Sequence, residues 1–323
     1  MQLNRDELRR AYETMYTIRA FEERVEKEFA AGNIPGFAHV YLGQEACGVG
    51  ICFDLGDDDY IGSTHRGHGH CIAKGVDVAG MWLEIMGKAA GVCGGKGGSM
   101  HIADLSKGML GANAIVGGAP PLAVGAALTQ KYNRTGKVAV AFTGDGASNQ
   151  GTVFEALNMA VVLKVPAIFV FENNSYGEHT HVSYACGAAS IAERVRGFGL
   201  PCEVVDGTDF FAVREGMQRA LEVARNGGGP YALELRCKRF LGHFVGDPQA
   251  YRTAEELAEA RAGDPLPRFR RSVTEAGLLT DEELDEIEVR VLELIDKSTV
   301  AALAADFPDP DRDLISDVYV KYR

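Results

Sequence analysis

No two cysteines of this chain stand at CxxC spacing, and the seven present, Cys47, Cys52, Cys71, Cys93, Cys186, Cys202 and Cys237, are odd in number. A disulfide framework and a zinc ribbon are therefore not expected. Reduced, mostly buried thiols fit a cytoplasmic protein. An excess of positive charge is also missing: 33 Lys and Arg stand against 45 Asp and Glu, a formal net charge of −12. A general nucleic-acid binder needs a basic footprint, so an anionic ligand would have to be met by a few local cations. No run of 18 apolar residues occurs, and no membrane-spanning helix is expected. The opening "MQLNRDELRRAYETMYTIRAFEERVEKEF" has no apolar h-region and reads as neither a signal nor a transit peptide. GxGxxG and Walker A patterns are absent, which counts against a nucleotide-binding regulatory protein. Internal repeats and low-complexity tracts are absent too.

What is present is a chain of 323 residues, 46% hydrophobic and 24% charged, the balance of a soluble globular protein with a sizeable core. Residues 5–31 predict an amphipathic helix, with Leu8, Met15, Ile18, Phe21, Val25 and Phe29 at helical spacing. "GKAAGVCGGKGGSMH" (87–101) is a glycine-dense loop, and it and the segment 175–190 are the parts expected to be mobile. "PPLAVGAALTQKY" (120–132) predicts a small-residue helix. "KVAVAF" (137–142) and "VPAIFVFENN" (165–174) are short continuous apolar runs, suited to strands buried on both faces. Between them "NQGTVFEALNMAVVLK" (149–164) is helical, with Phe154, Leu157, Met159, Val161 and Val162 as its apolar content. Strand, helix, strand is a βαβ unit with parallel strands. Further strands are expected at 59–64, 201–207 and 231–237, with a helix over about 209–226 joining the last two. The alternation predicts an α/β fold with a doubly wound, mainly parallel sheet. Residues 1–323 read as a single domain with a helical C-terminal region over about 253–323. The proline-containing tail "DFPDPDRDLISDVYVKYR" (306–323) is expected to extend over a neighbour.

The chemistry concentrates where strands end. Asp145 closes the first apolar run, in Gly144-Asp145-Gly146, and Asn173-Asn174 closes the next, 26 residues after Gly146. In open α/β sheets ligands bind outside the carboxyl ends of strands, so neighbouring parallel strands would bring Asp145 and Asn174 into one crevice. Both are hard oxygen ligands of the kind magnesium takes alongside phosphate oxygens and water. Gly144 and Gly146 would let backbone approach a phosphate, and the following helix N-terminus favours an anion. A lone GDG is ordinary turn punctuation; GDG and NN together in a βαβ unit are far more specific. "THRGHGH" and "KRFLGH" each follow a predicted strand and carry His65, Arg66, Arg239 and His243 to the same rim, where Arg–phosphate hydrogen bonds are the strong ones.

The run "GDGASNQGTVFEALNMAVVLKVPAIFVFENNSYG" resembles the thiamin diphosphate motif of the α subunits of 2-oxo acid and acetoin dehydrogenase complexes. "GFAHVYLGQEACGVG", "STHRGHGHCIAKG", "CGGKGGSMHIADLSKGMLGANAIVGG" and "KRFLGHFVGDPQAYR" extend the resemblance over nearly the whole chain, and two of these segments look most like acetoin dehydrogenases. The resemblance implies a thiamin diphosphate-binding fold. It implies that Asp145, the Asn174 side chain and the Tyr176 carbonyl bind Mg2+. Gly146 and Ala147 would contact the diphosphate, and Ala114 and Val116 the aminopyrimidine ring. His39, His65, Arg66, Arg239 and His243 would surround cofactor and substrate, with His243 and His39 positioning substrate and moving protons. His68 and His70 are expected to be structural or supporting, and Glu155 and Asn158 to serve packing or subunit contacts.

Four departures qualify the match. Ala114 stands where the family often has Gly, at a cost of roughly 1 kcal/mol if the backbone there is left-handed. His65 stands where pyruvate-type enzymes usually have Tyr. Phe244 stands where mitochondrial pyruvate-type subunits carry a phosphorylatable Ser, so control by phosphorylation is excluded at that position. Finally, no pyrimidine-binding half is expected in the residues after about 250. The cofactor works as a C2 carbanion whose formation needs a carboxylate on the aminopyrimidine. Glu45, the one carboxylate in a plausible position, reads as structural. The implied partner is therefore a β subunit, in an α2β2 heterotetramer, that supplies the activating Glu. The implied reaction cleaves acetoin and passes a two-carbon acyl unit to the lipoyl group of an acyltransferase component. The alternative substrate is pyruvate or a branched-chain 2-oxo acid.

Overall fold

A computed structural model describes residues 3–317. Its main sheet contains β1 (Tyr60–Gly62), β2 (Met109–Gly111), β3 (Ala139–Gly144), β4 (Ala167–Asn173), β7 (Cys202–Asp206) and β8 (Tyr231–Arg236), while β5 (Tyr176–Gly177) and β6 (Thr180–His181) form a small antiparallel hairpin. The sheet order is β2-β1-β3-β4-β8-β7 and every pair in it is parallel. Chain direction reverses at β1, which has β2 on one side and β3 on the other. The α/β doubly wound architecture expected from the sequence is the one found.

The central strands are buried because both faces are covered, and their side chains divide with a period of two. Val140, Phe142, Ile168 and Val170 enter one apolar layer; Ala139, Ala141, Phe169 and Phe171 enter the other. The first layer also holds the helix Arg5–Ala30, whose Leu8, Met15, Ile18, Phe21 and Val25 point inward. Its start is set by a capping box, in which Asn4 accepts from the Glu7 N–H and Glu7 from the Asn4 N–H. Against it packs Asp281–Ala304, also opened by a capping box (Thr280, Glu283), which sends Leu284, Ile287, Val291 and Ile295 into the same core. The second layer is filled by Ala119–Asn133 and Gly151–Leu163.

Three readings of the sequence change. In Gly151–Leu163 the inward residues are Val153, Ala156, Leu157 and Ala160, whereas Met159 and Val162 lie exposed. Strand β2 and the β5–β6 hairpin were not expected, because strands of two or three residues carry no legible alternation. The tail over 306–323 falls partly outside the described residues; within them, Pro310–Asp313 forms one helical turn. No helix among the described residues is long and apolar enough to cross a membrane.

The glycine-dense loop is held from below by one carboxylate. Glu84, wholly buried on the helix Val78–Ile85, accepts from the backbone N–H groups of Cys93 and Gly95 (both 2.8 Å), Gly97 (2.7 Å) and Gly98 (3.0 Å). The glycines permit this wrapping: Gly95 has φ +74°, and a Cβ there would fall 2.7 Å from the Lys88 carbonyl oxygen. Charge-assisted bonds of this kind contribute about 1.5–3 kcal/mol each. Glu84→Gln turns an acceptor into an NH2 group facing N–H donors. We expect it to lower unfolding free energy by about 2 kcal/mol or more and to open residues 87–101 to limited proteolysis. Unchanged protection of that loop would contradict the assignment.

Candidate active site

The carboxyl ends of β1, β3, β4 and β8 open into one cavity of about 470 Å³. His65 and Arg66 reach it from the loop after β1, Asp145 from the end of β3, Asn174 and Tyr176 from the end of β4, and Arg239 and His243 from the loop after β8. His39 enters from the segment after the first helix. Every residue expected from the sequence to hold cofactor or metal lines this space, including Ala114, Val116, Gly144, Gly146 and Ala147.

Register explains the meeting of Asp145 with Asn174. β3 and β4 are neighbours, with Thr143 opposite Phe171 and Gly144 opposite Glu172. Asp145 is 2% exposed, and its Oδ2 has no hydrogen-bond partner. Burial pushes its carboxyl up to about 6, against the pull of nearby backbone N–H groups and of Arg239 and Arg66. The Asn174 amide is oriented by Gln44, whose Oε1 accepts from Asn174 Nδ2 at 3.1 Å, while Asn174 Oδ1 accepts from the Tyr176 N–H at 3.3 Å. The turn after Asp145 is a 3₁₀ segment, Ala147–Asn149, and the longer helix begins only at Gly151. Arg194 fixes that turn from outside, donating to Asn149 Oδ1 (2.6 Å) and Ser148 Oγ (2.5 Å). Gly146 is required for a reason the sequence did not show. Its ideal Cβ would lie 2.8 Å from the Gly177 Cα in the β5–β6 hairpin, so turn and hairpin touch backbone to backbone.

The cationic rim is more committed than expected. Arg66 donates from its two terminal nitrogens to the carbonyls of Val40 (2.6 Å) and His243 (2.9 Å), and burial, with Arg239 adding to it, lowers it to about 10. Arg239 donates to the Glu178 carbonyl and to the Tyr251 hydroxyl, both at 2.7 Å, and its Nε has no partner. Burial first and Arg66 next hold His39 at about 3, His65 at about 2 and His243 at about 4, with neighbouring imidazoles and Arg239 adding to the effect. All three imidazoles are therefore held in the neutral form at pH 7. Ala114 has no positive φ, so the expected cost of its Cβ does not arise.

The remaining readings sort by burial. His68 bonds Glu22 and Ser99 (both 2.9 Å), and His70 bonds Ser63 (2.7 Å) and Glu172 (3.1 Å), with Tyr41 also bonded to Glu172. Glu45 is wholly buried, paired with Arg19 at 2.7 Å and accepting from the Gly43 N–H at 3.0 Å. Gln44, Glu172, Gly177 and Tyr251 are site residues that the sequence reading missed. Gln44 and Glu172 lay inside quoted motifs, beside Glu45 and Asn173, and adjacency was the available signal.

The fold is a doubly wound α/β sheet with a buried carboxylate, Asp145, in a cavity at its strand ends. The chain belongs to the family described as dehydrogenase E1 component, whose model matches residues 13–311. It is 54% identical over its whole length to the α subunit of acetoin:2,6-dichlorophenolindophenol oxidoreductase of Cupriavidus necator, covering 97% of that protein. To the α subunit of the same name from Bacillus subtilis it is 51% identical, over 96% of this chain and 93% of the other. To the pyruvate dehydrogenase E1 component subunit alpha of Rhizobium meliloti it is 38% identical, over 96% and 88%. Family membership makes it the α-type chain of a thiamin diphosphate-dependent oxidoreductase. The site fits the metal-diphosphate end of that cofactor, since Asp145 Oδ2 and Arg239 Nε are buried without partners.

Burial makes it unfavourable to hold Asp145 ionised. Its folded value, about 6, lies above its ordinary value of 3.8. Stability is therefore lost as pH rises between those values, and the full penalty, about 3 kcal/mol, stands above pH 6. Asp145→Asn is expected to raise the melting temperature of the cofactor-free protein at pH 7.5 and to leave it nearly unchanged at pH 4. An equal shift at both pH values would contradict this account.

Proposed function

We propose that this chain is the α subunit of a thiamin diphosphate- and Mg2+-dependent enzyme that cleaves acetoin and delivers the two-carbon acyl unit to the lipoyl group of an acyltransferase component. The observation that carries the reading is the unpartnered Asp145 carboxylate one strand from Asn174, in the cavity that neutral His39, His65 and His243 share. Asp145, the Asn174 oxygen and the Tyr176 carbonyl would hold Mg2+. Ala147 and Gly146 would meet the diphosphate with backbone, and Arg239 would donate its free Nε. Ala114 and Val116 would flank the aminopyrimidine. Bound there, the cofactor would supply a carbanionic nucleophile for the substrate carbonyl.

The chain's own part is to seat the substrate and handle protons. His39 Nδ1 and His243 Nδ1 have no partner, so each can donate to or accept from a substrate oxygen. The guanidinium groups have already bonded carbonyls, and Arg66 has both terminal nitrogens engaged. A rim of neutral imidazoles suits an uncharged hydroxyketone better than the carboxylate of pyruvate. Within the described residues no second domain supplies a carboxylate to the far end of the cofactor, and Glu45 is spent on Arg19. A β subunit in an α2β2 assembly would provide it. Tyr132 (85% exposed), Val162 (70%) and Leu122 (54%), on the two helices of the second layer, offer apolar surface for such contacts. The chain would act as one domain, in the cytoplasm, where its seven free thiols stay reduced.

Reconstituted with its β subunit and assayed with a dye acceptor, the enzyme is expected to turn over acetoin with a kcat/KM at least tenfold above that for pyruvate, a margin of about 1.4 kcal/mol. Preference for pyruvate would overturn the substrate assignment.

A further inference from the structure

Three histidines from three separate segments converge on one point. The donor atoms of His39, His65 and His243 lie within 4.8 Å of one another. Ring centroids are 4.7 Å apart for His39 and His65, 4.9 Å for His39 and His243, and 5.2 Å for His65 and His243. His39 is 8% exposed, and Nδ1 of both His39 and His243 is buried with no hydrogen-bond partner. Unpartnered buried ring nitrogens are rare, because each forfeits a bond that water would make. We propose that these residues form a tri-histidine site for a borderline transition-metal cation, Zn2+ in particular, distinct in chemistry from the oxygen site at Asp145.

The geometry needs little adjustment. Zn2+ sits about 2.0–2.1 Å from each nitrogen in a tetrahedron, which puts the donors about 3.3 Å apart. Ring rotation about the last, softly restrained side-chain torsion closes the difference from the observed spacing. Three histidines leave the fourth position open. No proton has to be displaced at neutral pH, since burial and the neighbouring guanidiniums keep all three rings neutral.

The charged and titratable groups facing the cluster are Arg66, Arg239, His68, His179 and Asp247. The two guanidiniums oppose a bare dication. Arg66 is held between two carbonyl oxygens, and an anion in the fourth position, hydroxide or chloride, would face both guanidiniums and offset the repulsion. Nitrogen donors select Zn2+ over Mg2+, which prefers oxygen. An ion at this point would withdraw the two nitrogens assigned above to the substrate, and Zn2+ would inhibit; that consequence, unlike the binding itself, rests on the proposed function.

The test uses the cofactor-free enzyme assembled with its β subunit. Calorimetric titration with Zn2+ should show one ion per α chain that excess Mg2+ does not displace. Co2+ in its place should give the intense visible absorption of a tetrahedral site. His65→Tyr, His39→Gln and His243→Asn should each weaken Zn2+ binding more than about a hundredfold, beyond the roughly 10–100-fold that losing a supporting bond costs. Cys93→Ser and Asp145→Ala should leave it unchanged. Melting curves confirm that each variant is folded, and the Co2+ spectrum of the unaltered enzyme stands whatever the variants do. Absence of Zn2+ binding, a weak octahedral Co2+ spectrum, or binding indifferent to all three histidine substitutions would overturn the proposal. Binding without inhibition would uphold the metal site and remove His39 and His243 from substrate handling.

Discussion

The pairing of β3 with β4 is the constraint on which the site depends. Parallel strands in register bring equivalent backbone positions level, with Gly144 opposite Glu172. The residues just beyond, Asp145 on one strand and Asn174 on the other, then face the same crevice. This register is fixed by burial. Moving β4 by one residue would exchange Ile168 and Val170 with Phe169 and Phe171 between layers already filled by different helices. The placement of Asp145 beside Asn174 is thereby underwritten by core packing.

Around that register the chain spends buried polar groups in two ways. Some are closed upon themselves. Glu84 gathers four backbone N–H groups, Glu45 is paired with Arg19, and His68 and His70 sit in bonded chains with Glu22, Ser99, Ser63 and Glu172. Others are left open toward one cavity: Asp145 Oδ2, Arg239 Nε, His39 Nδ1 and His243 Nδ1. Unsatisfied buried groups destabilise a fold, and their concentration at the strand ends is the signature of a surface made for ligands. The raised carboxyl of Asp145 is the same fact in electrostatic form.

Much of this was legible in the sequence because the relevant signals are long or doubled. The apolar runs of β3 and β4 and the helical spacing of Leu8 through Val25 specified layers. The GDG and NN pair specified a crevice, and the histidine and arginine clusters lay after true strands. Local rules failed where a position is defined by a distant partner. Met159 and Val162 look like core until the helix is seen to bury Val153 and Leu157 instead. Gly146 has a second constraint, the Gly177 backbone against it, that its motif does not show. Gln44 gains its role from Asn174, 130 residues away. Burial and Arg66 hold His39 and His243 well below the ordinary histidine range, and neither influence is visible in their motifs.

The central claim is that Asp145 is the metal-bearing anchor of the cofactor. Calorimetry of the assembled enzyme with thiamin diphosphate, with and without Mg2+, measures it most directly. The account predicts Mg2+-dependent binding that Asp145→Ala abolishes while Glu45→Gln, if folded, retains it. Cofactor binding that survives Asp145→Ala, or that ignores Mg2+, would contradict the account.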